Sequence, residues 1–184
     1  MGLDQYMFRV NKVKGVRKGR CYERDDSLLS NCIFIPADEI EEEMYVALKP
    51  FATPIKMSEQ VYNMERIRKD YGLSDDAYIG SFIGGNITVS DKEKRVEISE
   101  AEIHEKYITS VFRDVYVAQS EEIYYWRKDY QISDFLNDAI GPVENCGFYA
   151  VNRDVAVDLL EYDGSINPDD FPETDSNVMY HEWF

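Results

Sequence analysis

Cysteine and histidine are scarce in this chain of 184 residues, which holds three cysteines and two histidines. The cysteines, Cys21, Cys32 and Cys146, are odd in number and widely spaced, and no pair has the C-x-x-C spacing. The histidines, His104 and His181, form no cluster with them. Structural zinc sites need four such ligands at short spacings. The sequence therefore predicts no metal site, and free thiols suit a reducing cytoplasm.

Long apolar runs and nucleotide-binding signatures are missing as well. No stretch approaches the roughly 20 apolar residues that span a membrane, and no signal peptide precedes the first motif. We therefore expect a cytoplasmic protein with no membrane partner. Neither GxxxxGK[ST] nor GxGxxG occurs. Gly84-Gly85-Asn86 is too short for a phosphate loop, and its setting favours a hairpin turn.

A catalytic set is not evident either, so the sequence favours a protein that is not an enzyme and predicts no cofactor. Cys146 with His104 or His181 could supply a nucleophile and a base. A small residue at the entry to a strand is the simpler interpretation of Cys146. The acidic groups at 41–43, 75–76 and 169–170 lack the ordered spacing of a calcium loop, which favours solvated edges over metal ligands.

Positive charge is scarce, and basic residues outnumber acidic ones only at the start of the chain. The formal net charge is −16, from 20 basic and 36 acidic residues. Residues 1–24 carry seven basic and two acidic side chains, whereas residues 129–184 carry one basic and 13 acidic side chains. Such a field repels nucleic-acid phosphates and attracts basic surfaces. It predicts no direct binding to duplex DNA. The basic loop could still contact RNA locally, through Lys12, Lys14, Arg17, Lys18 and Arg20.

The pattern of apolar residues predicts one α+β domain over 1–184, with a mostly antiparallel sheet and three to four short helices. Expected strands lie at 2–10, 32–35, 44–48, 111–118, 122–126 and 147–151. Residues 77–98 read as a three-stranded meander around Gly84-Gly85. The acidic tail from Gly164 ends in aromatic residues that we expect to dock back on the body.

Capping signals set the expected helices. Ser58 is the predicted N-cap of a helix that ends at Gly72, and Asp38–Glu43 could form a brief helical turn. Ser99 with Glu102 forms a capping box, and Asn152 caps a last helix. The strongest helical pattern is an apolar stripe, which consists of Ile132, Phe135, Leu136, Ala139 and Ile140. Phe135→Ala is therefore expected to destabilise by about 3–5 kcal/mol, the usual range for a buried aromatic residue.

The most unusual polar and aromatic group is Tyr124-Tyr-Trp-Arg-Lys128. Arg127 could hold an anion at a helix N-terminus, or it could pair with Asp4 and stack on an aromatic ring. A small-molecule or nucleotide pocket built from Asp4, Tyr6, Trp126 and Arg127 is thus one hypothesis.

Two segments carry a family resemblance. Met1-Gly-Leu-Asp-Gln-Tyr6 resembles the opening of small hypothetical proteins encoded by bacteriophages and prophages. Tyr125-Trp-Arg-Lys128, Ile132 with Phe135, Cys146-Gly-Phe-Tyr149 and Tyr180-His-Glu-Trp183 are similar to later motifs of that group. Residues 12–115 show no match and could be a lineage-specific insertion, and Asp129, Tyr130 and Ser133 replace the group's usual Asn and His. The resemblance implies a phage origin, in an infected bacterial cell, but no activity.

Three functions compete at this point. The first is an acidic phage protein that blocks a host protein with a basic, nucleic-acid-binding surface, such as a CRISPR effector or a restriction enzyme, as a mimic of DNA. The carboxylates expected to bind that partner are Glu41, Glu42, Glu43, Asp163, Asp169, Asp170, Glu173 and Asp175. The second is the small-molecule pocket described above. The third is a phage structural or assembly component, and the sequence leaves the oligomeric state open.

Overall fold

Strands take up more of this chain than helices do, and a computed structural model describes residues 3–184. Met1 and Gly2 of the opening motif lie outside these residues. Within 3–184 the strands are β1 (Asp4–Asn11), β2 (Cys21–Glu23), β3 (Cys32–Pro36), β4 (Thr53–Tyr62), β5 (Tyr78–Ile83), β6 (Asn86–Ser90), β7 (Arg95–Ser99), β8 (Ile108–Arg127), β9 (Tyr149–Ala150) and β10 (Val178–Trp183). The α-helices are α1 (Met64–Tyr71), α2 (Glu100–Lys106), α3 (Tyr130–Ile140) and α4 (Arg153–Leu159). The predicted α+β class is confirmed.

The chain divides into two compact units. The first unit takes in residues up to Met57 and from Arg113 onward, and the second unit is Ser58–Phe112. The second unit therefore begins well after residue 12, and residues 12–57 belong with the first.

The sheet of the first unit brings the two ends of the chain together. Its strand order is β2-β4-β8-β1-β10-β9, and β3 also pairs with β8. β1 pairs antiparallel with β8 on one side, where Tyr6 lies opposite Tyr125, and with β10 on the other, where Tyr6 lies opposite His181. The opening strand expected at 2–10 is found as β1, and the strands expected at 111–118 and 122–126 lie in its neighbour β8.

Helices α3 and α4 cover one face of this sheet. Ile132 and Leu136 on α3, with Ala156 and Leu159 on α4, are buried in one cluster with sheet residues such as Met7. The apolar stripe of α3 is narrower than predicted, because Phe135 is half-buried and Ala139 is exposed. The face that α3 turns to the sheet is thus centred on Ile132 and Leu136.

A buried carboxylate ties α3 to the sheet. Glu182 is 3% exposed and accepts hydrogen bonds from the hydroxyls of Ser133, at 2.6 Å, and Tyr180. Gln5 donates to the Tyr180 hydroxyl and to the Asp129 carbonyl, 3.1 and 2.9 Å away. Burial raises the pKa of Tyr180 above its usual range. Because each polar group has a partner, the network joins β1, β10 and the start of α3 without an unsatisfied donor.

The second unit is built on the predicted meander. β5, β6 and β7 form a three-stranded antiparallel sheet, and Gly84 and Gly85 form the first turn with φ of 59° and 78°. The cap at Ser99 is also confirmed, since its hydroxyl accepts from the Glu102 amide at 3.2 Å, while the Glu102 carboxylate accepts from Lys106. Gly72 ends α1 in the left-handed conformation, as expected.

Two predictions of local structure were wrong. Ser58 does not cap a helix, because it is buried within β4, and Asn63 caps α1 instead by accepting from the Arg66 amide at 3.0 Å. The predicted strand at 44–48 is a 3₁₀ segment, Val46–Phe51. Pro50 lies in that segment, and its ring fixes φ and removes a backbone donor, which disfavours a paired strand.

Strand lengths also differ from the sequence-based prediction. The strands expected at 111–118 and 122–126 are parts of one 20-residue strand, β8. The strand expected at 147–151 shrinks to Tyr149–Ala150, and residues 38–43 form turns. Asn152 caps α4 as predicted, by accepting from the Val155 amide.

The ring of His181 is the basis of a pH prediction. It stacks on Phe148, with centroids 4.3 Å apart, and its Nδ1 lies 3.0 Å from the Gly147 carbonyl oxygen. Burial lowers the pKa of His181 below its usual value of 6.5. Below that pH the unfolded chain therefore binds more protons than the folded chain, so acid favours unfolding.

We expect the free energy of unfolding to fall as the pH drops through and below the unfolded pKa, and to fall less steeply in His181→Phe. Denaturant melts between about pH 7.5 and 5 measure this. Parallel pH profiles for the two proteins would contradict the prediction.

Candidate protein-binding surface

Most of the tail carboxylates that the sequence pointed to are engaged within the protein. Asp163 accepts a hydrogen bond from Nε1 of Trp126 at 2.7 Å, and this bond lowers the pKa of Asp163. Asp169 pairs with Arg153 at 2.5 Å. Asp170 accepts from the Tyr124 hydroxyl at 3.0 Å and also contacts Arg9. Asp163 and Asp170 hold the tail against β8 and β1, whereas Asp169 holds it to α4 and stays largely exposed.

The other predicted carboxylates lie on the surface. Glu41, Glu42 and Glu43 are exposed, and Glu41 forms an ion pair with Lys49. Glu173 and Asp175 line a groove of about 570 Å³, together with the apolar side chains Ala47, Pro50 and Phe51. The structure therefore does not gather the eight predicted residues into one cluster.

The four residues of the predicted ligand pocket are divided between the two faces of the sheet. Asp4 and Arg127 lie directly opposite each other on β1 and β8, and their side chains approach to 3.8 Å. Tyr6 shares their face, because alternate residues of a strand point to the same side. Trp126 points to the other face, where it belongs to the core under α3 and α4. Of the two interpretations of Arg127, the observed contact is the pairing with Asp4.

A different acidic surface emerges on the outer side of α3 and α4. We define the acidic helical face as the exposed carboxylates of these helices and of the turn that follows α4, which are Asp134, Asp138, Asp154, Asp158 and Glu161. Within residues 3–184, no salt bridge joins any of the five to a cation. Arg153 is the sole Lys or Arg between 129 and 184, and its partner is Asp169.

Helix geometry places the charges of this face side by side. Asp134 and Asp138 are four residues apart on α3, and Asp154 and Asp158 are four apart on α4. Residues four apart are neighbours on a helix surface, and like charges there are destabilising by about 0.2–0.5 kcal/mol a pair. The face therefore concentrates negative charge at some loss of helix stability.

Two of these carboxylates also oppose the helix dipole. Asp138 and Asp158 lie in the last turns of α3 and α4, and neither last turn carries a basic residue. The C-terminal end of a helix is partly negative, so a carboxylate there is unfavourable by about 0.3–1 kcal/mol at low salt. An approaching cation would relieve both the mutual repulsion and the opposition of the dipole.

Apolar side chains interrupt the charge. Val157 lies at the i+3 position from Asp154 and beside Asp158, and it is exposed, as are Leu160 and Tyr162. The Tyr162 ring packs on Phe135, with centroids 4.8 Å apart. Exposed apolar groups within a charged rim are a common composition for a protein-binding surface.

Helical spacing in the sequence indicates where this face lies. The apolar stripe of α3 was recognised, so residues on the opposite side, Asp134 and Asp138, were predictable as exposed neighbours. The same reasoning applies to α4, where Asn152 had been identified as the cap. What was not predictable is that Asp163 and Asp170 are bound by aromatic side chains of β8 and that Asp169 pairs with Arg153.

Metal-binding clusters, membrane-spanning helices and similarity to known proteins are considered in turn. Among the described residues, no group of three or more His, Cys, Asp or Glu side chains is arranged to hold a metal ion. No helix within 3–184 has the length and apolar character needed to cross a membrane. Comparison of the chain with protein families, curated proteins and solved structures finds no match.

Proposed function

We propose that this protein binds another protein through the acidic helical face and covers a basic, nucleic-acid-binding surface on it, without catalysis. The observation that carries the proposal is the placement of Asp138 and Asp158, two carboxylates without a cation at the negative ends of helices. Within the chain this placement is unfavourable, and contact with lysine or arginine side chains of a partner would make it favourable.

The chemistry of the face indicates the partner. Carboxylates spaced along two helices can occupy positions that phosphates take in a nucleic-acid groove, and their field speeds encounter with a basic surface. Val157 and Leu160 would add apolar contact once the charges have aligned the two proteins. The resemblance of the chain's end segments to phage proteins suggests a host defence enzyme, such as a CRISPR effector or a restriction enzyme, as this partner.

The experiment is capture followed by competition. Tagged protein is expressed in bacterial cells, the bound proteins are identified, and each is purified and tested for nucleic-acid binding by gel shift. We expect a partner whose nucleic-acid binding is lost in proportion to added protein, whereas the protein alone does not bind duplex DNA at about 150 mM salt. Simultaneous binding of nucleic acid and this protein by the partner would refute the occlusion.

Two charge-matched double variants separate binding from folding. Asp138→Asn with Asp158→Asn removes the two carboxylates at helix C-termini, so we expect the melting temperature to rise by about 1–4 °C at low salt. Asp134→Asn with Asp154→Asn removes the same charge, but Asp154 lies in the first turn of α4, where a carboxylate is favourable. The second variant should therefore gain no stability.

Both double variants should associate with the partner more slowly than the parent protein, and by similar factors, because they lose equal charge from the same face. Increasing salt should narrow the difference, since the Debye length falls from about 10 Å at 0.1 M to about 3 Å at 1 M. Association kinetics against ionic strength measure this. If the association rate constant changed neither in the double variants nor with salt concentration, the acidic helical face would be excluded as the binding surface.

A further inference from the structure

The second unit contains a sheet edge that no other strand covers. Its order is β5-β6-β7, so β5 and β7 are the outer strands, and within residues 3–184 β5 pairs with β6 alone. Backbone N–H and C=O groups on the outer side of such a strand form a template for another strand. Natural sheets protect their edges with charged residues, proline or bulges.

The two outer strands differ in this protection. β7 exposes Arg95 and Glu97, which approach each other to 3.8 Å. β5 exposes three large apolar side chains instead, with Tyr78 61%, Phe82 63% and Ile83 68% accessible to solvent. The fourteen residues 77–90 include no Asp, Glu, Lys or Arg, in a chain of which 30% is charged. Only a bulge between Ile79 and Ser81 interrupts the strand.

We propose that β5 is a self-association edge, at which two copies of this chain pair β5 with β5 antiparallel. Charge selects the second copy as the occupant. A net charge of −16 opposes contact between copies over most of the surface, whereas the uncharged strand meets its own copy without bringing like charges into contact. Antiparallel pairing of identical strands is also self-complementary, which is the requirement of a two-fold dimer.

The size of the contact sets the expected affinity. Aromatic side chains bury about 150–250 Å² each, so Tyr78 and Phe82 with the smaller Ile83, all about 60–70% exposed, offer roughly 500–900 Å² over both copies. Stable dimers usually bury more than about 1,200 Å², and the bulge shortens the regular pairing. The dimer is therefore weak, with a dissociation constant on the order of micromolar, and it forms only as the concentration rises.

Sedimentation equilibrium of the purified chain, from about 1 to 500 µM around the expected dissociation constant, tests this. We expect a monomer–dimer equilibrium, and we expect Phe82→Lys and Ile83→Lys each to weaken it at least tenfold. Val46→Lys is the matched control, because Val46 is an apolar residue of the first unit, 47% exposed, and the charge change is the same. Each lysine makes the chain less negative. If only general charge repulsion governed association, all three variants would therefore associate more strongly. The proposal predicts instead that Phe82→Lys and Ile83→Lys associate more weakly.

Salt gives a second readout. Raising the salt concentration from about 0.05 to 0.5 M screens the repulsion between copies and should strengthen the dimer. Binding of a basic partner protein to the acidic helical face should weaken over the same range. Thermal melts confirm that each variant is folded. A chain that stays monomeric at every concentration, or a dimer that Val46→Lys disrupts as much as Phe82→Lys does, would overturn the proposal. Capture of a different protein by β5, with the chain itself monomeric, would also overturn it.

Discussion

Removal of residues 178–184 is expected to unfold the first unit. These residues include all of β10, which lies between β1 and β9 in the sheet. Val178, Met179 and Tyr180 are fully buried, and emptying one buried large site typically destabilises by about 2–5 kcal/mol. Three such losses match or exceed a typical net stability of about 5–15 kcal/mol. β1 would also lose one of its two neighbours.

The measurement is amide hydrogen exchange over residues 113–177, with a chain shortened only by Trp183 and Phe184 as the control. Both of these side chains are exposed, so the control should keep its protection. Slow exchange in β8 after removal of 178–184 would show that the sheet does not depend on β10.

Leu136→Ala is expected to destabilise the protein by about 2–5 kcal/mol. The Leu136 side chain has no exposed surface and lies in the cluster between α3 and the sheet, which includes Ile132 and Met7. Truncation leaves a cavity there, since a helix that also holds the Ser133–Glu182 hydrogen bond at 2.6 Å cannot easily move to fill it. Denaturant melts give the change in unfolding free energy.

Phe135→Ala is the adjacent comparison. The sequence predicted a loss of about 3–5 kcal/mol there, the range for a fully buried ring. Phe135 is half-buried and packs against the exposed ring of Tyr162, so we expect a loss of about 1–2 kcal/mol, since less surface leaves water. Equal losses in Leu136→Ala and Phe135→Ala, or a larger loss in the latter, would contradict this description of α3.

Features fixed by a few neighbouring residues were predictable from the sequence. The turn at Gly84-Gly85, the cap at Ser99 and the stop at Gly72 depend on local backbone chemistry, and all three are confirmed. The prediction that Ser58 is a helix N-cap was wrong, because a serine followed by apolar residues is also compatible with a buried strand. Pairing with a strand that is distant in sequence decides between helix and strand. The 3₁₀ segment Val46–Phe51 was missed because residues 44–48 have the composition of a strand, whereas Pro50, which disfavours one, lies just beyond them.

The candidate surface was predictable in sign but not in position. Counting charges located the negative excess in residues 129–184. Which carboxylates remain available depends on contacts between residues far apart in sequence. Asp163 is bound by Trp126, 37 residues away, and Asp170 by Tyr124, 46 residues away. Composition contains no information on such pairs, whereas the exposed carboxylates of α3 follow from helical spacing alone.

The position of β1 between β8 and β10 has a consequence for synthesis on the ribosome. β1 is synthesised well before its two neighbours, which are residues 119–127 and 178–183. Both sides of β1 therefore stay open during most of translation, and the strand is available to chaperones or to nascent chains on nearby ribosomes. Residues 58–112 are continuous in sequence and meet no such delay. The first unit therefore cannot complete its sheet until residues 178–183 have been synthesised.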